Sequence, residues 1–441
     1  MSVDVMDALG TPIEVHVRGP EILRILPRIF PELNEEWLAD KGRQAFDGLK
    51  YQRLNTILKR LPDGRLKELT WSEGLQEAVT AIKRVQPEEI QARIGSFADV
   101  EAIVSLRDLM HRIGAEKIIY TGKNELNHDF RAQYLMGSMI KSLNYVDTLL
   151  MVGFNMRTTS PVLNARIRRA VTEKKMKVAV IGPGERLLYQ YLHLGNSTKT
   201  LNDIANKSHP FSKVLENSKL PMIIVSSDIL RRKDGKEIER ILYKLCCDYK
   251  VINTETKWNG YNVILKSAAE AGAYDIGLTS NLSEEEMKRP IKLVYLLNAD
   301  DNLEDIPSDA YVIYQGFHGE VGAARADLIF PSAAYTEKNG TYVNTEGRAQ
   351  YACKTIIPPG EGKPDWEILR ALSEELGCTL PYDNLEEVRA RIAELAPSII
   401  RVDSLETIAF EDIITKYGAQ KAQELKPGIL ADSIDVSFDY S

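Results

Sequence analysis

From position 12 the chain alternates. Ile13, Val15 and Val17 fall on one side of an extended segment, Glu14, His16 and Arg18 on the other, and Gly19-Pro20 turns the chain into the run ILRIL. Period-two alternation about a turn predicts a β-ribbon. After DGLKYQRL the period lengthens. Thr70-Trp71-Ser72-Glu73 is a capping box, in which the threonine bonds the third helical amide and the glutamate reaches back. The helix it opens runs through Leu75, Val79, Ile82 and Val85 and stops before Pro87. A strand signal at Arg93-Ile94 precedes a second helical stripe, Val100, Ile103, Val104 and Met110, closed by Gly114. Short apolar runs follow at 117–120, 148–153, 176–182, 222–227, 292–298, 311–315 and 327–331, with helical patterns between most of them. Buried-type strands alternating with helices predict parallel sheets, and a single sheet does not hold all of them at this length. The expected class is α/β: a small N-terminal β-ribbon followed by two doubly wound parallel-sheet domains.

Composition fits that picture. The 441 residues are 44% hydrophobic, enough for about three domains at roughly 150 residues each. Fifty-six Lys and Arg against 63 Asp and Glu give a net charge of -7 without long single-sign blocks, so no nucleic acid or anionic membrane partner is implied. No apolar run approaches the ~18 residues of a bilayer span, and no direct membrane span is expected. The opening MSVDVMDALG has two aspartates and no basic residue, so neither a secretory signal nor an Arg-rich transit peptide is expected there. Cys246, Cys247, Cys353 and Cys378 form no C-x-x-C and no disulfide framework, which points to a reducing compartment. Cys246 and Cys247 share a helical pattern with Ile238, Ile241, Leu242 and Leu245 and read as small buried hydrophobes.

Candidate chemistry is sparse. There is no G-x-S-x-G, H-E-x-x-H or P-loop, and the six histidines show no ligand spacing among themselves. The turn IGPGERL has Gly182 and Gly184, but Leu187 stands where a dinucleotide fingerprint needs its third glycine. GFNMRTTSPVLNARIRRA, with Ser160 able to cap and Pro161 at the first helical position, is open to two readings: an anion site or an ordinary capped helix. His318, in YQGFHGEVG, reads as a loop histidine bonded to nearby backbone. The densest group of charges lies in ADLIFPSAAYTEKNGTYVNTEGRAQ, 326–350, where Asp327, Glu337, Glu346 and Arg348 can form a closed structural network among glycine turns.

Several segments in order carry a resemblance: DALGTPIEVHVRGPEILRILPR, NEEWLADKGRQAFDGL, GFNMRTTSPVLNARIRRA, HPFSKVL, the YQGFHGEVG to TEGRAQ stretch and PPGEGKPDWEILRALSEELG. Over nearly its whole length the chain resembles the large iron-sulfur subunit (75 kDa subunit) of respiratory complex I, NADH:ubiquinone oxidoreductase. The resemblance implies a molybdopterin oxidoreductase-like fold of two interleaved domains without a C-terminal fourth domain. Its expected boundaries are 1–51 for the ribbon, a degenerate iron-sulfur domain; 52–124 with 286–395 for one discontinuous α/β domain; 125–285 for the inserted one; and 396–441 for a tail. In that family a cysteine-rich N-terminal portion carries the clusters. No cysteine precedes Cys246 in this sequence, so that portion is not expected on this chain, and where some relatives place a cluster ligand in C-x-K-G-R this sequence has Ala39-Asp40-Lys41-Gly42-Arg43. The segment GFNMRTTSP also departs from the family at Met156 and Thr159, where proline and an acidic residue are expected.

These departures imply no cofactor on this chain, no metal site, and no catalytic or cofactor-binding residue. The implied role is a non-catalytic structural half of a split or truncated large subunit. Its partners would be the cluster-bearing N-terminal half on another chain and other peripheral-arm subunits. The implied location is the matrix side of the mitochondrial inner membrane, or alternatively the cytoplasmic face of a bacterial membrane. Two other functions stay open: a molybdenum or tungsten bis-pterin oxidoreductase fragment, using Lys41 and the 148–186 turns, and a nucleotide-binding regulatory module using IGPGERL.

Overall fold

The computed structural model describes residues 1–120, 126–184, 186–278, 289–406, 408–410 and 430. Its N-terminal ribbon is an antiparallel sheet of β1 (Ser2–Val3), β2 (Pro12–Arg18) and β3 (Glu21–Pro27). Ile13 and Ile25 are fully buried on its inner face. The expected apolar face weakens at Val15 and is lost at Val17. A register shift between His16 and Val17 is the reason, since an irregularity of this kind twists the strand and re-aims its side chains. A short helix, α1 (Asp40–Gln44), packs beside β3.

Next come an antiparallel hairpin, β4 (Ile57–Arg60) with β5 (Leu66–Leu69), and the strands β6 (Ile90–Ile94) and β7 (Lys117–Tyr120). Between them lies α2 (Trp71–Lys83), which begins at the expected capping box: Glu73 donates its amide to Thr70 Oγ1 at 3.3 Å, and Thr70 donates its own to the Glu73 carboxylate at 2.8 Å. α3 (Val100–Arg112) opens on Asp99, which accepts the Ala102 amide at 2.9 Å. The middle of the chain supplies β8 (Thr148–Val152), β9 (Lys177–Ile181), β10 (Leu192–Gly195) and β11 (Pro221–Ser226). Two short strands, β12 (Ile252–Asn253) and β13 (Trp258–Asn259), pair with each other before β14 (Tyr261–Ile264). The last group is β15 (Leu293–Leu297), β16 (Tyr311–Gly316), β17 (Leu328–Pro331), and the hairpin of β18 (Gly340–Val343) and β19 (Ala349–Ala352).

These strands make two doubly wound sheets. The larger runs β5-β4-β17-β16-β15-β6-β7, parallel from β17 to β7, and combines strands from either side of the segment that forms the other. The smaller is parallel throughout, β10-β9-β8-β11-β14. Every residue of β6, β8 and β15 is buried, as expected of strands covered on both faces. One apolar core joins the sheets, taking in Ile94 and Leu297 from the larger and Val152 and Val225 from the smaller.

Each sheet has a switch point, where successive connections leave in opposite directions: between β6 and β15 in the larger, between β8 and β11 in the smaller. The carboxyl ends of the strands at such points are where open α/β sheets offer a crevice. Gly95 ends β6 there, and a Cβ on it would overlap the Asn298 carbonyl. Because the obstacle is backbone, Gly95→Ala is expected to lower unfolding free energy by roughly 2–3 kcal/mol in a denaturant titration. The capping variant Thr70→Ala should lose about 1 kcal/mol, and a Gly95 loss no larger than that would contradict close contact between the strand ends.

Candidate functional site

The charges of the 326–350 loop are buried against groups from distant parts of the chain. Glu337 takes two bonds of 2.6 Å from the Arg53 guanidinium and accepts the Ala334 amide at 2.9 Å. Lys338, only 3% exposed, places its ammonium 2.5 Å from Asp99 and against Asp365. Burial pulls the Lys338 pKa down, but the two carboxylates outweigh it and hold the pKa well above the usual lysine range. Arg348 donates to Glu346 at 3.1 Å and to the Asp403 carbonyl at 2.5 Å, and lies over the Phe30 ring at 4.9 Å. Glu346 also accepts the Ile140 amide at 3.0 Å. Asp327 stands apart, accepting the Val312 amide at 2.8 Å.

Of the four residues expected in one network, the structure therefore brings Glu346 and Arg348 together and gives Glu337 and Asp327 separate partners. Sequence reasoning missed the ties that Lys338 makes to Asp99 and Asp365. It also missed Glu101, which accepts the Thr341 amide at 2.6 Å and Arg389 at 3.0 Å. Thr341 and Glu101 are 240 positions apart, so no local spacing announces them.

The two crevices differ. At the switch point of the larger sheet a cavity of about 280 Å³ opens among Ser96, Asn298 and Phe317. His318 lines it too, bonded through one ring nitrogen to Glu320 at 3.1 Å and through the other to the Gly48 carbonyl at 3.0 Å. In the smaller sheet the IGPGERL turn sets Gly182 at φ 147°, close against Gly153; Glu185 of that turn lies outside the described residues. Leu430 is fully buried there, donates its amide to the Asn196 carbonyl at 2.6 Å, and turns its own carbonyl toward Gly182. Leu430 thus rests against the ends of β9 and β10. Nearby, Ser160 takes the N-cap position of the helix Pro161–Lys174, but its hydroxyl is buried without a capping bond. Arg166 on that helix donates to the Pro31 and Leu33 carbonyls at 2.8 and 3.1 Å, fastening the ribbon region to the smaller sheet.

In the ribbon region two carboxylates are sealed in. Asp4 and Asp7 are each 1% exposed, and each spends one oxygen on a backbone amide, of Met6 and Leu9, at 3.0 Å. Their other oxygens have no hydrogen-bond partner among the described residues. The Asp4 carboxylate lies directly on Gly42, where any side chain would collide with it, which is the physical reason for glycine in Lys41-Gly42-Arg43. Burial first, and the neighbouring Asp7 second, push the Asp4 pKa from 3.8 up to about 7. Burial raises Asp7 as well, against the pull of Lys41. Ala39 is buried in an apolar cluster with Leu9 and Leu33.

Residues 53–375 match the Molybdopterin oxidoreductase family, and residues 1–47 match the NADH-ubiquinone oxidoreductase NDSU1/NuoG-like, 4Fe-4S domain. The chain is 39% identical to the mitochondrial NADH dehydrogenase (ubiquinone) iron-sulfur protein 1 of Solanum tuberosum over 422 residues, 95% of this chain and 57% of that protein. It is 37% identical over 448 residues to the NADH-ubiquinone oxidoreductase 75 kDa subunit of Reclinomonas americana, 97% of this chain and 64% of that subunit. The chain thus spans about three-fifths of the length of these relatives. Among solved structures, acetylene hydratase from Pelobacter acetylenicus superposes with a TM-score of 0.56 at 13% identity over 86% of this chain and 69% of that one, a likeness of fold alone.

The expectation of no cofactor on this chain is corrected by these matches: residues 1–47 are of a 4Fe-4S domain type, and the Solanum relative is named an iron-sulfur protein. What misled the sequence reading is the donor set. Clusters are held by cysteine thiolates or occasionally histidine, residues 1–47 contain no cysteine, and Ala39 is packed as a core residue. On their own these residues do not fit a cluster.

The Asp4 shift has a stability consequence. Its pKa is raised on folding, so the folded chain holds a proton that the unfolded chain releases between pH ~4 and ~7, and the stability this gives is lost as pH rises through about 7. Asp4→Asn should therefore remove roughly 2–3 kcal/mol of the stability decline between pH 5 and pH 8. Parallel decline in the variant and the parent, measured by denaturant unfolding at both pH values, would contradict the shift.

Proposed function

The chain belongs to the molybdopterin oxidoreductase family, and from that premise we propose that it works as the α/β part of a 75/78 kDa-type iron-sulfur subunit of NADH-ubiquinone oxidoreductase. The observation that carries this reading is its alignment, over 95% of its length, with a relative named as iron-sulfur protein 1 of that enzyme. In this reading the chain supports the electron-carrying part in the peripheral arm, on the matrix side of the mitochondrial inner membrane, with a cluster-bearing segment supplied by a separate polypeptide. Among the described residues no helix is long and apolar enough to cross a membrane, which suits a peripheral position.

An iron-sulfur cofactor at this domain takes its thiolates from outside residues 1–47, since none lie within them. The ribbon region supplies a surface for that polypeptide. Ile29 is 76% exposed and Trp37 53% exposed, with Leu23 and Tyr51 also facing solvent. So small a sheet does not bury both faces, and large apolar side chains left exposed across the ribbon region suit an interface. The paired charges of the 326–350 loop favour a supporting role over a reaction centre.

Ile29→Glu combined with Trp37→Glu should cut co-purification of a cluster-bearing subunit at least ~10-fold, with the melting temperature unchanged within about 2 °C because both side chains are exposed. Unchanged co-purification would put the interface elsewhere. Recovery of the parent chain with no NADH-ubiquinone oxidoreductase subunit at all would overturn the assignment.

A further inference from the structure

The cavity at the β6–β15 switch point has a chemically specific lining. Phe97 and Phe317 form apolar walls, their ring centroids 6.2 Å apart in an edge-to-face arrangement. Asp300, Asp301 and Glu320 add three carboxylates, one Glu320 oxygen already bonded to His318 at 3.1 Å, and neither Lys nor Arg lines the space. Asp300 is anchored, accepting the Gly322 amide at 2.8 Å and the Tyr314 hydroxyl at 3.0 Å. Asp301 and Glu320 are exposed at the rim. Arg53 approaches the Phe317 ring at 5.9 Å, but its charge is already matched by the two-bond pair with Glu337.

A second observation points to a ligand. Tyr335 lines the same cavity, is only 4% exposed, and makes no hydrogen bond through its hydroxyl to any described residue. Its ring is buried while its unbonded hydroxyl is open to the cavity, free to bond a ligand there. The carboxylates repel an anion such as a pyrophosphate, whereas aromatic faces and carboxylates together attract a cation with an apolar body. We propose that this crevice binds a small organic cation, an alkylammonium or alkylguanidinium. Its charged head is held by Asp301 and Glu320, its apolar body lies against the Phe97 and Phe317 rings, and the Tyr335 hydroxyl accepts a bond from the head group. This goes beyond the subunit assignment and does not depend on it.

The test is calorimetric titration of the purified chain with butylguanidinium, with 1-pentanol as the uncharged counterpart and inorganic pyrophosphate as the anion. Saturable butylguanidinium binding is expected with a Kd below about 1 mM, with pentanol and pyrophosphate binding at least ~10-fold more weakly. Asp301→Asn with Glu320→Gln should weaken the cation at least ~10-fold; both residues are exposed, and an unchanged circular dichroism spectrum confirms the fold. Tyr335→Phe should weaken it less, because one neutral bond is lost. Cation binding undiminished in the double variant, pyrophosphate competing for the same site, or no cation binding up to about 10 mM would each overturn the proposal.

Discussion

The ammonium of Lys338 is sealed inside the protein between Asp99 and Asp365, and much of the larger sheet is arranged to keep it there. A charge taken out of water is tolerated only when it is paired and hydrogen-bonded, and removing one partner of such a group costs roughly 3–5 kcal/mol. The two carboxylates belong to different elements. Asp99 caps α3 just after β6, and Asp365 begins the helix Asp365–Glu375. Asp365 also accepts Asn298 at 3.2 Å and Gln315 at 2.8 Å, residues at the ends of β15 and β16. One buried cation therefore fixes the carboxyl ends of three adjacent strands, at the edge where the crevice lies.

The same logic runs through the rest of the loop. Arg53 and Glu337 tie it to the chain leading into β4, Glu101 ties β18 to α3, and Arg348 with Glu346 ties it to the segments at 140 and 403. Groups already committed to one another make a rigid frame.

How much of this could be read from the sequence depends on how local the physics is. Strands β6, β8 and β15 are legible because both their faces are buried, so apolar runs bounded by turns have no other good solution. The Thr70–Glu73 box is legible because its partners are three residues apart. The charge network is not: Asp327, Glu337, Glu346 and Arg348 were recognisable as residues that would be bonded, but their partners are set by tertiary packing. The cofactor expectation failed for a related reason. Cysteines are the local mark of an iron-sulfur domain, whereas in residues 1–47 the visible local constraints are Asp4, Asp7 and the glycine at 42 that makes room for a carboxylate.

The frame is tested most directly by the unfolding free energy of Lys338→Met against that of a triple variant that also carries Asp99→Asn and Asp365→Asn. If pairing of the buried charge is the governing constraint, the single substitution strands two carboxylates and should cost roughly 3–5 kcal/mol, and the triple variant should recover a large part of that loss. A loss below about 1 kcal/mol for Lys338→Met, or a triple variant as unstable as the sum of its parts, would contradict it.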